Sequence, residues 1–400
     1  MFGDTPMVMI EDDAALRALV DRLRQEPVIG IDTEADSFHH YREKLCLIQL
    51  SDRTHDYIID PLQLTDLSPL GELLGDANIV KVLHGGDYDV VSLKRDYGIR
   101  IRNLFDTMIA AQFLALPRIG LADLIERYFG HHVDKKYQRH DWASRPLLPE
   151  HLDYARGDTH FLLALREVLT LFLTRKGRLA AHSEECAILE ERDWTRDNDD
   201  SASFLRVKRS NTLDELGLRV LRALWAYRDN EARSLDRPAF KVLPDEVLLG
   251  IASSRPTDDD GLQHVMRRGS SMHRKHGDAL LRCVMDGLAD ERPLPSKEAP
   301  ARRDRKADSG PAIERLLGPL KEWRNQVVDK RGLAPVVVAN NNLLKEIARL
   351  TPSTIEALAA VPGIRRWQVI DFGEELLRVV EGAAPVEPEG GGKRRRRRRR

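Results

Sequence analysis

Cysteine is scarce in this chain. Only Cys46, Cys186 and Cys283 occur, far apart and without any C-x-x-C pairing. That argues against a disulfide framework and a cysteine-based zinc site, and it fits a reducing cytosol. Long apolar runs are missing too: none reaches the about 18 residues that a membrane-spanning helix needs. The stretch from Met1 to Asp13 is acidic and has no charged segment followed by an apolar one. No signal peptide is expected, and the protein reads as cytoplasmic. No G-x-x-x-x-G-K-[ST] run is present, which excludes a P-loop motor. Net charge is nearly absent, at −1 over 400 residues, yet the last eight residues, Lys393 to Arg400, are all basic. An acidic body with a basic tail implies two separate electrostatic tasks.

What is present suffices for real cores, since 42% of the residues are hydrophobic, and 400 residues suggest two to four domains. To about residue 175, strand and helix patterns alternate. Leu16 to Leu23 has helical spacing. Val28 to Ile31, Leu45 to Leu50, Tyr57 to Ile59 and Ile79 to Leu83 are strand-like, and Leu152 to Leu173 reads as one long helix. Such alternation predicts an α/β layer with a mixed sheet. From about residue 212 helical spacing dominates, with candidates at Leu213 to Tyr227 and Asp245 to Ala252. Glu291 to Pro311 is charged and proline-bearing and reads as a linker, after which a second helical block runs from Ala312 to Val380. The two blocks match one another. Tyr227-Arg228 corresponds to Trp323-Arg324, Arg237-Pro238 to Ala334-Pro335, and Leu248-Leu249 to Leu343-Leu344, at an offset near 96 residues. A repeat of that length is a duplicated small domain. Gly382 to Gly392 reads as a disordered spacer before the basic run. The expected division is 1–205, 212–292, a linker at 293–311, 312–382, and a basic tail at 383–400.

Three sites carry candidate chemistry. Asp32 and Glu34 follow the apolar run Val28 to Ile31, and on a strand their spacing points both carboxylates to one face. Two converging carboxylates repel unless a cation lies between them, although a solvated acidic strand end has the same look. The second site is His84-Gly85-Gly86-Asp87-Tyr88-Asp89, where a strand stops and a helix begins. Asp87 fits an N-cap and Asp89 the first turn, and spacing alone does not choose between them. The third is Tyr154-Ala155-Arg156-Gly157-Asp158, whose Tyr and Asp share a helix face at i and i+4. A surface Tyr–Asp pair is the alternative there. Asp106 is expected to cap a helix. The pairs His39-His40 and His131-His132 chelate poorly, because neighbouring side chains diverge. Trp142, Trp225 and Trp323 are expected in cores.

Together these segments resemble the DEDD exonuclease superfamily, in its tyrosine subclass. His84-Gly85-Gly86-x-x-Asp89, Phe105-Asp106-Thr107, Asp134-Lys135-Lys136-Tyr137-Gln138 and Asp141-Trp142 narrow the likeness to the ribonuclease D family and its relative in the nuclear exosome. The helical blocks resemble HRDC domains, the second through Val361-Pro362-Gly363-Ile364 as well. The resemblance implies a ribonuclease H-like α/β exonuclease domain followed by two all-α HRDC bundles. It implies a catalytic set of Asp32, Glu34, Asp89, Tyr154 and Asp158, and favours Asp89 over Asp87. Four carboxylates without histidine or cysteine select hard cations, so two Mg2+ or Mn2+ ions are expected on Asp32, Glu34, Asp89 and Asp158. In that arrangement Asp32 bridges, Glu34 and Asp158 hold the ion carrying the attacking water, Asp89 holds the other, and Tyr154 orients the water. The implied activity is 3′→5′ hydrolysis of RNA to nucleoside 5′-monophosphates, as in tRNA 3′ maturation, by a monomer. A DNA exonuclease and a non-catalytic RNA-binding scaffold are the alternatives, the second disfavoured by the intact catalytic set.

Overall fold

The computed structural model describes residues 5–194, 200–266, 269–295 and 311–382. Most of the expected linker and the whole of the expected tail at 383–400 lie outside the described residues. In the first part of the chain the elements are β1 (Met7–Ile10), α1 (Asp13–Leu23), β2 (Val28–Ala35), β3 (Leu45–Ser51), β4 (Asp56–Ile59) and α2 (Ser68–Gly75). They continue with β5 (Val80–Leu83), α3 (Asp87–Tyr97), β6 (Leu104–Asp106), α4 (Thr107–Phe113), α5 (Leu121–Phe129), α6 (Pro149–His160), α7 (Leu162–Arg175) and α8 (Leu179–Glu190).

The six strands form one sheet in the order β1-β4-β3-β2-β5-β6. β3 runs antiparallel to both β2 and β4, and the other pairs are parallel. This is the mixed α/β sheet that the alternation predicts. The two edge strands escape sequence reading: β6 is only three residues long, and β1, although apolar, lies within an acidic terminal stretch. β3 is buried along its whole length, which requires cover on both faces. One face packs on α1, α2 and α3 through residues such as Leu16, Leu73 and Leu93. The other meets α6 through Cys46, Leu47, Ile58 and Ala155.

β2 continues past the apolar run to Ala35, as the shared strand face of Asp32 and Glu34 requires, and β3 opposes Asp32 with Gln49 and Glu34 with Leu47. One element differs from expectation. The single helix expected over Leu152 to Leu173 is two, α6 and α7, with Phe161 between them. The ring of Phe161 stacks on Phe129, centroids 5.6 Å apart, a long-range contact invisible to periodicity.

The first helical block holds α9 (Glu215–Ser234), α10 (Ala239–Val242), α11 (Asp245–Ser254), α12 (Asp259–Gln263) and α13 (Ser271–Ala289). The second repeats that order as α14 (Pro311–Arg331), α15 (Pro335–Val338), α16 (Asn341–Leu350), α17 (Ile355–Ala359) and α18 (Arg366–Gly382). The matched arginines do the same work in each. Arg228 donates to the Leu243 carbonyl at 3.1 Å and to Asp245 at 2.6 Å. Arg324 donates to the Ala339 carbonyl at 3.1 Å and to Asn341 at 2.9 Å. Gly363, in the Pro-Gly turn of the second block, has φ +88°, a conformation that suits glycine.

The chain separates into two compact units. The first comprises Met1–Ala110, Arg118–Phe172 and Glu185–Arg302, and the second Ala111–Pro117, Leu173–Glu184 and Arg303–Arg400. Within the second, Arg178 donates to the carbonyls of Phe113 (2.6 Å) and Gly332 (2.9 Å), and the Phe113 ring lies 5.3 Å from that of Trp367. Among the described residues, no helix is long and apolar enough to cross a membrane.

Candidate active site

Asp32 and Glu34 lie on the face of β2 that meets α6, along with Gly30, because residues two apart on a strand share a face. Glycine at 30 sets the approach of the helix. A Cβ there would stand 3.2 Å from the Thr159 carbonyl oxygen and 3.3 Å from Leu163 Cδ1. α6 brings Asp158 into place: carboxylate oxygens of Asp32, Glu34 and Asp158 lie within 4.8 Å of one another. It is the only acidic, histidine or cysteine group of this kind among the described residues.

The helix is tied to the sheet by Asp56 of β4. Asp56 accepts from Arg156 Nε and Nη2 at 2.9 and 2.7 Å, and His160 Nδ1 lies 2.9 Å from the same oxygen. Ser51 Oγ lies 2.7 Å from both Asp56 Oδ1 and Thr159 Oγ1. Arg156 and His160 each stand two residues from Asp158, so the anchor brackets the carboxylate it positions.

The structure separates Asp87 from Asp89. Gly86 is the N-cap of α3, and Asp87, expected as the cap, is the first helical residue. The chain enters the helix one residue early because the Gly86 amide donates to Asp106 Oδ2 at 2.8 Å. Asp87 is exposed and pairs with Arg192. Asp89 is buried, and Thr33, between Asp32 and Glu34, donates to it at 2.5 Å. Asp106 also accepts from the amides of Met108 and Ile109, the capping role expected of it.

Burial and mutual repulsion dominate the electrostatics. Burial first, then the charges of Asp89, Asp158 and Glu34, hold the Asp32 carboxyl well above its usual range. Glu34 is raised by burial and by Asp158 and Asp89. Burial raises Asp89 to about 6 and, together with the Asp89 charge, Asp158 to about 7. Tyr154 lies one turn before Asp158, its ring 6.0 Å from that of Tyr137 and 5.9 Å from that of Trp142. Burial and the charges of Asp158, Glu34 and Asp32 push its hydroxyl above the ordinary tyrosine value. The fold thus assembles all five expected residues in one neighbourhood.

One residue here was missed. Gln49 is fully buried opposite Asp32, and neither of its amide atoms has a hydrogen-bond partner among the described residues. A lone polar residue inside the apolar run Leu45 to Leu50 was the available signal. Converging oxygen donors and an unsatisfied buried amide beside them fit a hard divalent cation. Elsewhere, His39 Nε2 lies 2.9 Å from the Arg139 carbonyl oxygen and His40 Nδ1 2.7 Å from Asp236. Trp142 and Trp323 are buried, and Trp225 is partly so.

Known proteins share this fold and resemble this sequence. A family model described as 3′-5′ exonuclease matches residues 7–174, and the HRDC domain model matches residues 217–284 and 313–380. Ribonuclease D of Gluconacetobacter diazotrophicus is 31% identical over 384 residues, covering 95% of this chain and 94% of that one. Exosome complex component 10 of Mus musculus is 35% identical over 268 residues, 65% of this chain but 30% of that one. The crystal structure of Escherichia coli RNase D, an exoribonuclease involved in structured RNA processing, superposes with a TM-score of 0.69 at 26% identity, covering 94% of this chain and 98% of that one.

Proposed function

Because this chain belongs to the ribonuclease D family of 3′→5′ exoribonucleases, we propose that it trims structured RNA from a single-stranded 3′ end and releases nucleoside 5′-monophosphates. Precursors of tRNA are the proposed substrates, and a cytoplasmic monomer the proposed form. The observation that carries the reading is the convergence of Asp32, Glu34 and Asp158 from β2 and α6 onto one point, with Asp89 buried beside them.

These four carboxylates would hold two divalent cations, Mg2+ or Mn2+. When bound, such ions lower the pKa of water and offset the charge of the scissile phosphate and the leaving oxygen. The protein's own groups do the rest. Asp32, Glu34, Asp158 and Asp89 would be the groups that hold the ions, Glu34 and Asp158 on the side of the attacking water and Asp89 on the other. The Tyr154 hydroxyl is held protonated by its surroundings. It orients the attacking water through a hydrogen bond and is too weak an acid to serve as the base.

The test is digestion of 3′-tailed RNA and of matched DNA with Mg2+, Mn2+ or EDTA. Stepwise shortening of RNA from the 3′ end, with 5′-monophosphate release that EDTA stops, is expected. Cleavage unaffected by EDTA, or confined to DNA, would overturn the reading.

A further inference from the structure

Among the described residues only two phenylalanines are exposed, and they touch each other. Phe38 is 44% and Phe240 51% exposed, and their rings stand edge to face at 6.3 Å and 80°. Leaving two aromatic rings in water forgoes the burial that usually stabilises them, so the pair calls for a partner. A guanidinium joins it: Arg139 Cζ lies 5.6 Å from the Phe38 centroid. Among the described residues no carboxylate lies within ion-pair distance of Arg139.

Both sides of this cluster are held in place. Phe38 belongs to the loop between β2 and β3. That loop grips the first helical block through His40 to Asp236 (2.7 Å), the Tyr41 amide to Asp236 (3.2 Å) and the Tyr41 hydroxyl to Asp229 (2.8 Å). Those contacts set α10, and with it Phe240, against Phe38. Arg139 is fixed through its carbonyl, which lies 2.9 Å from His39 Nε2. The cluster also adjoins the active site along the chain. Phe38 follows Glu34 by four residues, and Arg139 follows Tyr137, whose ring lies 6.0 Å from Tyr154, by two.

We propose that Phe38, Phe240 and Arg139 form a composite platform on which a base of single-stranded RNA stacks upstream of the nucleotide being removed. Every base has a π face, so such a platform accepts any sequence, and the unpaired guanidinium neutralises a neighbouring phosphate. A protein partner would seek a wider apolar patch, whereas two rings and a cation match one base and one phosphate. The proposal rests on the exoribonuclease reading and adds a shared binding site built by the α/β domain and the first helical block.

The experiment uses the full chain carrying Phe240→Ala, Phe240→Leu or Phe240→Trp. The probes are a single-stranded oligoadenylate with 2-aminopurine placed near its 3′ end, and a dinucleotide. In EDTA, where nothing turns over, wild type and Phe240→Trp quench the 2-aminopurine. Phe240→Ala and Phe240→Leu lose the quenching, and affinity for the oligomer falls roughly 5- to 100-fold. With Mg2+, KM for the oligomer rises by the same factor, while kcat and dinucleotide turnover hold. Unchanged affinity in Phe240→Ala, an equal loss on the dinucleotide, or full function in Phe240→Leu would each overturn the platform. Quenching that depends on Phe240 in a chain that degrades no RNA would keep the platform and sink the exoribonuclease reading instead.

Discussion

Asp158 combines two opposed demands. Its carboxyl is raised to about 7 and that of Asp89 to about 6, from an ordinary 3.8. A carboxylate raised on folding stabilises the fold below its unfolded pKa, and that stability is lost as pH rises through the folded value. The metal-free protein should therefore weaken from about pH 4 to about pH 7. Metal binding, which needs the ionised forms, should strengthen and release protons over the same range. Asp158→Asn removes one charge from the cluster. Its expected signature is loss of Mg2+-dependent turnover together with a higher Tm in EDTA at pH 8, by about 2–4 °C per kcal/mol recovered. A lower Tm would show that repulsion is not what the side chain contributes. Tyr154→Phe keeps the ring and deletes the hydroxyl, so kcat should fall about 10²- to 10⁴-fold with Mg2+ affinity unchanged. Wild-type kcat in that variant would make the hydroxyl structural. Spacing put Asp32 with Glu34 on one strand face and Tyr154 with Asp158 on one helix face; it left Asp87 and Asp89 open, and the resemblance to the DEDD exonucleases singled out the full set. Gln49 was not legible, since only the pairing of β3 with β2 puts it opposite Asp32.

At the level of elements, α6 is the part that completes the site. Its height above the sheet is set by Gly30 beneath it and by the Asp56 anchor beside it. Asp56→Ala leaves the Arg156 guanidinium, 9% exposed, without its main carboxylate. Breaking a buried pair from one side costs about 3–5 kcal/mol. Urea unfolding of the metal-free variant should show that loss, and Mg2+ titration should show weaker binding, because Asp158 rides on the loosened helix. An unchanged unfolding midpoint would mean that α6 is held by apolar packing alone. Sequence patterns located α6 to within three residues at its start, but not its end. Phe161 fits the helical period as well as its neighbours do, and only its stacking on Phe129 marks the break. The interior strands were readable from their apolar runs, whereas β6 was too short to leave a pattern and β1 sits in an acidic terminal stretch.

Across the whole molecule, charge is the first matter. An acidic body repels RNA, and on charge alone the basic run Lys393 to Arg400 would offer a compensating grip at the end of a Gly-rich segment. Deleting those residues should weaken RNA binding at low salt and flatten the log–log salt dependence, by about 0.7 for each phosphate they neutralise. kcat at saturating RNA should stay the same. Superimposable salt curves for the full and shortened chains would remove the tail from the binding account. Duplication was legible in the matched arginines, which clasp equivalent carbonyls in both helical blocks. What no linear reading showed is that the second compact unit is discontinuous, drawing on residues 111–117 and 173–184 as well as the last helical block. For anyone dissecting the protein, the natural place to cut is then the wrong one. A chain ended at residue 295 keeps every carboxylate of the active site. It also strips Phe113, 1% exposed in the intact chain, of the Trp367 ring against it, and leaves Arg178 facing a gap where the Gly332 carbonyl stood. Such a fragment would carry a raw apolar surface at the severed joint, and its solubility rather than its chemistry would be what fails first.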